Sequence, residues 1–137
     1  MKKQYYDDPF SKVNSWEIEM MEKYGWYVHF VMDDDTCPNC INFHTHGLLE
    51  TFNHPDLQIC FPISKESAHA IFNTIVEQIK TGLQFQTAVK YDQIIGGGFK
   101  LEFINATESN RKVLRIAFPN KDGGYEGGIF SRQFDQT

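Results

Sequence analysis

The sequence predicts a single α+β domain: a mainly antiparallel sheet of about five strands, one long helix packed on a face, and a short N-terminal helix. Three observations predict it. Ala68, Ile71, Phe72, Ile75, Val76 and Ile79 recur at helical spacing, which gives one apolar stripe along a long helix. Aromatic and β-branched runs alternate elsewhere, as in Phe99-Lys100-Leu101-Glu102-Phe103, the pattern of a half-exposed antiparallel strand. The chain has 137 residues, 41% hydrophobic and 15% aromatic, which suits one domain around one core without help from a metal or disulfide.

Residues 1–14 mix acidic, aromatic and proline residues without periodicity and read as an extended arm. From Ser15 to Tyr24, Trp16, Met20 and Tyr24 recur every four positions, and Gly25 suits the left-handed turn that ends a helix. Trp26 to Met32 reads as the first strand, closed by Asp33-Asp34-Asp35. These adjacent carboxylates lack the alternate spacing and distal Glu of a calcium loop. Ile41 to Leu48 and Leu57 to Phe61 read as the second and third strands, with Glu50 to Asp56 as the loop between them. Cys60 lies on the opposite strand face from Leu57, Ile59 and Phe61 and reads as a core thiol.

The long helix runs from Ser64, a good N-cap, to Thr81, with Glu66 in its first turn and Gly82 ending it. His69 reads as a boundary residue of its stripe. Gly96-Gly97-Gly98 precedes a strand and lacks a following Lys-Ser or Lys-Thr, so it reads as a bend or bulge and not a phosphate loop. Phe99 to Ile104 and Lys112 to Phe118 form the last two strands, joined by a turn-rich link from Asn105 to Asn110. Residues 15–119 make the domain, and residues 120–137 a flexible, Gly-rich C-terminal tail.

The net charge of −5 and the scattered basic residues argue against a nucleic-acid partner, since phosphate binding depends on clustered cations. No apolar run approaches a membrane span and none follows the polar N-terminus as a signal peptide would. With three Cys, an odd number, the expected location is the cytoplasm, with thiols free or metal-bound.

The densest chemistry lies in Cys37-Pro38-Asn39-Cys40-Ile41-Asn42-Phe43-His44-Thr45-His46, with His54 beyond it. On a strand, His44 and His46 project from one face about 6.5–7 Å apart at Cα, so two imidazoles can share a metal. Cys37 and Cys40 can offer two sulfurs from a turn, which makes Cys37, Cys40, His44 and His46 the candidate ligands and zinc the candidate cofactor. The spacing is tighter than a zinc finger's, and solvent-lined thiols are the plain alternative. A redox pair is disfavoured because the segment continues as strand, without the helix N-terminus that lowers a thiol pKa.

Gly25-Trp26, His44-Thr45-His46-Gly47-Leu48, His54-Pro55-Asp56-Leu57, Lys80-Thr81-Gly82 and the strand Phe99 to Ile104 together resemble the bacterial domain-of-unknown-function family 4262. The resemblance covers roughly Tyr24 to Phe118. His44 stands where that pattern has Tyr and Asp56 where it has Glu, and the Cys37 and Cys40 pair is outside it. The resemblance marks Thr45, Gly47, Leu48, His54, Pro55 and Asp56 as shared positions and implies no activity.

Thr45, His54 and Asp56 are therefore the candidate ligand-binding residues, with a turn satisfying its own backbone as the plain reading of His54 and Asp56. The expected function is a cytoplasmic binding module for a small molecule or protein partner at this His- and Cys-rich surface, with zinc as its metal. The alternative is a small metal-dependent hydrolase using His44, His46, His54 and Asp56, for which no nucleophile motif is present and no catalytic residue is assigned.

Overall fold

The structure, a computed structural model, describes residues 12–34 and 37–134. Residues 1–11 of the expected arm and residues 135–137 of the expected tail lie outside it, as do the side chains of Cys37 and Cys40. The elements in chain order are α1 (Lys12–Tyr24), β1 (Tyr27–Asp34), β2 (Cys37–His46), α2 (Leu48–Phe52), β3 (Asp56–Ile59), α3 (Lys65–Lys80), β4 (Lys90–Tyr91), β5 (Leu101–Glu108), β6 (Arg111–Ala117) and α4 (Gly128–Arg132).

The α+β class holds, but the sheet departs from the expected five antiparallel strands. It has six, in the order β1-β2-β3-β6-β5-β4, and β3 pairs with β6 in parallel. Such a pair is invisible to local pattern, because α3, β4 and β5 intervene between its members. The strand β4 has two residues, too few to leave a periodic signature.

Helix α3 follows its sequence signals. The Ser64 hydroxyl accepts from the Ser67 amide at 3.1 Å, and Ala68, Phe72, Ile75, Val76 and Ile79 are buried in one core with Phe43, Leu57, Ile59, Phe103 and Ile116. Helix α1 buries less of its apolar series than the spacing suggests. Tyr24 is 57% exposed and Trp16 41%, while Glu17 turns its carboxylate towards β1 and Met21 lies against Gly47.

Two expected connections are secondary structure instead. The loop read over Glu50 to Asp56 begins inside the helix α2, which is entered at Gly47 (φ 104°), left at Asn53 (φ 55°) and too short for a helical period to be read, and its last residue, Asp56, opens β3. The link read over Asn105 to Asn110 is mostly strand. β5 continues to Glu108 and reverses on Ser109 (φ 50°) and Asn110 (φ 69°), a two-residue hairpin turn with both centres left-handed.

Pairing register sorts the side chains onto two faces. Val28, Phe43, Leu57, Leu114 and Ile116 enter the core beside α3. On the opposite face His29 pairs with His44, His44 with Gln58, and Gln58 with Arg115, one polar row across β1, β2, β3 and β6. The segment after Pro119 closes against one end of this face. Gln133 is buried, its Oε1 accepts from the Phe118 amide at 2.8 Å, and its Nε2 donates to the Phe118 carbonyl at 2.7 Å.

Candidate functional site

Three imidazoles meet on the polar face. His29 from β1 stands in register with His44 of β2, and His46 follows two residues along the same strand, so strand alternation turns all three to one side. Ring centroids lie 5.5 Å apart for His29 and His44, 4.6 Å for His29 and His46, and 5.0 Å for His44 and His46. One ring nitrogen from each falls within 4.8 Å of the others. A zinc ion at 2.0–2.1 Å from each nitrogen would draw them to ~3.4 Å, so the three residue types fit the ion and the nitrogens would have to close in on binding.

Carboxylates and a guanidinium border the group. Glu17 Oε2 is 3.0 Å from His29 Nε2, and Glu108 Oε2 is 3.6 Å from His44 Nε2. Arg111 donates from Nε to Glu108 Oε1 at 2.7 Å, from Nη2 to the Thr45 carbonyl at 2.6 Å, and lies 3.1 Å from Asp56 Oδ2 through Nη1. Tyr27 stacks on His46 at 5.2 Å and donates its hydroxyl to Glu17 Oε1 at 3.4 Å.

Burial governs the protonation of these groups. It holds His29 and His44 down at about 4 against the upward pull of Glu108, and with Arg111 and the neighbouring imidazoles it pushes His46 lower still. All three rings are therefore neutral at pH 7, the form in which imidazole binds a metal. Burial also opposes ionisation of Glu108, but the charge His44 carries when protonated, the Ser109 hydroxyl and Arg111 together outweigh it and hold its carboxyl below the ordinary value. Glu17 and Asp56 are raised, chiefly by burial.

The site residues expected from sequence fall in three places. His44 and His46 join the group, and His29, which sequence reasoning missed, completes it. Thr45 and Asp56 are brought together just behind it: the Thr45 hydroxyl donates to Asp56 Oδ1 at 2.8 Å and accepts from the Leu57 amide at 2.9 Å, while the Leu48 amide donates to Asp56 Oδ1 at 3.0 Å. His54 is turned elsewhere, with Nδ1 2.8 Å from the Pro55 carbonyl and Nε2 accepting from the Phe85 amide at 3.0 Å. That bonding fixes His54 as an Nδ1–H tautomer inside the fold. Cys37 and Cys40 belong to β2, but their side chains lie outside the described residues. Cys60 is a free, buried thiol pushed up to about 11 by its surroundings.

The description Domain of unknown function (DUF4262) matches residues 20–121. The chain belongs to that family. The matched part of this DUF4262 protein contains β1 to β6 and the whole histidine group, and leaves out Glu17 and Gln133, which close the polar face from the two ends of the chain. Comparison with curated proteins and with solved structures gave no match. No helix among the described residues is long and apolar enough to cross a membrane.

Proposed function

We propose that this DUF4262 protein is a cytoplasmic zinc-binding module whose metal is held by His29, His44 and His46, and that the metal face receives a small molecule or protein partner. The observation that carries the reading is the convergence of three neutral imidazoles, one nitrogen from each within 4.8 Å of the others. Tetrahedral zinc takes nitrogen ligands of this kind and asks for a fourth. Glu108, 3.6 Å from His44 Nε2, is the natural fourth ligand, and it is already steered there by Arg111 and Ser109. Glu17, on His29, acts as the outer carboxylate that orients a ligating imidazole. The positive charge of Arg111 is offset by Glu108 and Asp56, so it adds little repulsion against a divalent ion.

Glu108 also favours a second reading. Displaced from the metal by water, it would stand beside a zinc-bound nucleophile as a general base, and the chain would be a small metal-dependent hydrolase. One variant separates the two. Glu108→Gln weakens zinc binding in a module where Glu108 is a ligand; in a hydrolase it abolishes turnover of ester or phosphoester substrates while zinc stays bound.

Zinc content of protein purified without a histidine tag tests the reading directly. One zinc per chain, lost on His29→Ala substitution, supports it; no zinc in the wild type and no change in stability on chelation defeats both the module and the hydrolase.

A further inference from the structure

Arg115 is 1% exposed, and its guanidinium is held by neutral groups: Nε donates to Gln58 Oε1 at 2.7 Å and Nη1 to the Gln133 carbonyl at 3.1 Å. Gln58 Nε2 donates in turn to Asn42 Oδ1 at 2.8 Å, and that oxygen lies 3.2 Å from His44 Nδ1. We infer that Arg115 is a positioning residue of the histidine group: acting through Gln58 and Asn42, it fixes His44 as the Nδ1–H tautomer and leaves the Nε2 lone pair facing Glu108.

The direction of every bond in this chain follows from its first member. A guanidinium has donors and no acceptor and does not deprotonate, so the Gln58 atom it touches is the carbonyl oxygen. The Gln58 amide nitrogen therefore points at Asn42, and the Asn42 atom that receives it is again the oxygen. An oxygen can only accept, so His44 Nδ1 carries the hydrogen, and a neutral ring has no second one to place on Nε2. At pH 7.5, above the ordinary imidazole value of about 6.5, the ring is in its neutral form.

The consequence lies at the other end of the ring. Nε2 and Glu108 Oε2 face each other across 3.6 Å as two acceptors, and Oε2 already takes the Ser109 hydroxyl at 2.7 Å. A cation between them resolves the confrontation, which makes Nε2 the metal-binding atom of His44. Only this consequence rests on the metal reading; the tautomer does not.

Nitrogen-15 NMR of histidine side chains in the metal-free, full-length protein at pH 7.5 reads the tautomer. The wild type should show a protonated Nδ1 and a bare Nε2 on His44. Arg115→Lys, still donor-only, and Asn42→Asp, still an acceptor, should keep that pattern. Arg115→Met frees Gln58 to rotate and Asn42→Leu removes the side-chain acceptor, so each should admit the Nε2–H form and weaken zinc at least about tenfold, as loss of a ligand's outer partner does. Should Arg115→Met fail to fold, Gln58→Met keeps the guanidinium and decides. An Nε2–H wild type, or an unchanged Nδ1–H signal in every folded chain-breaking variant, overturns the inference. If the tautomer follows the variants while the wild type takes no zinc, the positioning role stands and the metal reading falls.

Discussion

Asp56 and Arg111, 55 residues apart, meet at 3.1 Å between Oδ2 and Nη1, and the pair ties β3 to the hairpin of β5 and β6. The other carboxylate oxygen of Asp56 holds the Thr45 hydroxyl and the Leu48 amide, so one side chain ends β2, starts α2 and anchors Arg111. Asp56→Ala strands two buried donors and a guanidinium, and should cost about 3–5 kcal/mol, the range for removing one partner of a buried pair. Urea unfolding checks it. A loss below about 1 kcal/mol would mean that Arg111 is satisfied elsewhere.

His54 should matter to stability and not to the metal. Its ring joins the Pro55 carbonyl to the Phe85 amide and lies edge-on to Phe85 at 6.0 Å. His54→Ala should destabilise by about 2–4 kcal/mol through a cavity and an orphaned amide, with zinc stoichiometry unchanged. Parallel denaturation and metal analysis of that variant separate the two effects.

Gly47 sits at φ 104°, and a Cβ there would come within 2.6 Å of the Gly25 carbonyl and of Met21 Sδ. Gly47→Ala therefore combines left-handed strain with backbone overlap and should cost about 2 kcal/mol or more. Hydrogen exchange should rise first in α1, because α1 is the element the new methyl pushes away.

Acid should weaken the fold over a defined window. The ordinary histidine value of 6.5 applies to the unfolded chain, and His29 and His44 lie at about 4 when folded. Above 6.5 both states are neutral and the contribution is full. As pH falls from 6.5 to about 4 the unfolded chain takes up protons that the folded chain refuses, so stability drops; the share from His29 and His44 levels off below about 4, while His46, held lower still, extends the loss. The raised carboxyls of Glu17 and Asp56 act in the opposite sense. Unfolding free energies measured at pH 7.5, 6 and 5 should fall in that order, less steeply in His29→Ala.

The sequence carried the parts of the site that depend on one element. Period-two spacing puts His44 and His46 on one strand face, and the helical stripe of α3 and its Ser64 cap can be read residue by residue. What depends on pairing could not be read. His29 joins the group only because β1 and β2 register His29 opposite His44, and nothing local to Trp26 through Met32 states that register. Arg115 and Gln58 become neighbours only through the parallel pair of β3 and β6. Gln133 lies in a glycine-rich stretch without periodicity, where its burial against Phe118 has no sequence signal.

Zinc titration of chelator-treated, tag-free protein against a competing indicator tests the central claim most directly, run in parallel on His29→Ala and on Cys37→Ser/Cys40→Ser. The account predicts one zinc per chain in the wild type and the cysteine variant, and loss of at least about a hundredfold in affinity in His29→Ala, which removes one of the nitrogen ligands. Equal binding in His29→Ala and wild type, or binding abolished by the cysteine replacements alone, would contradict it.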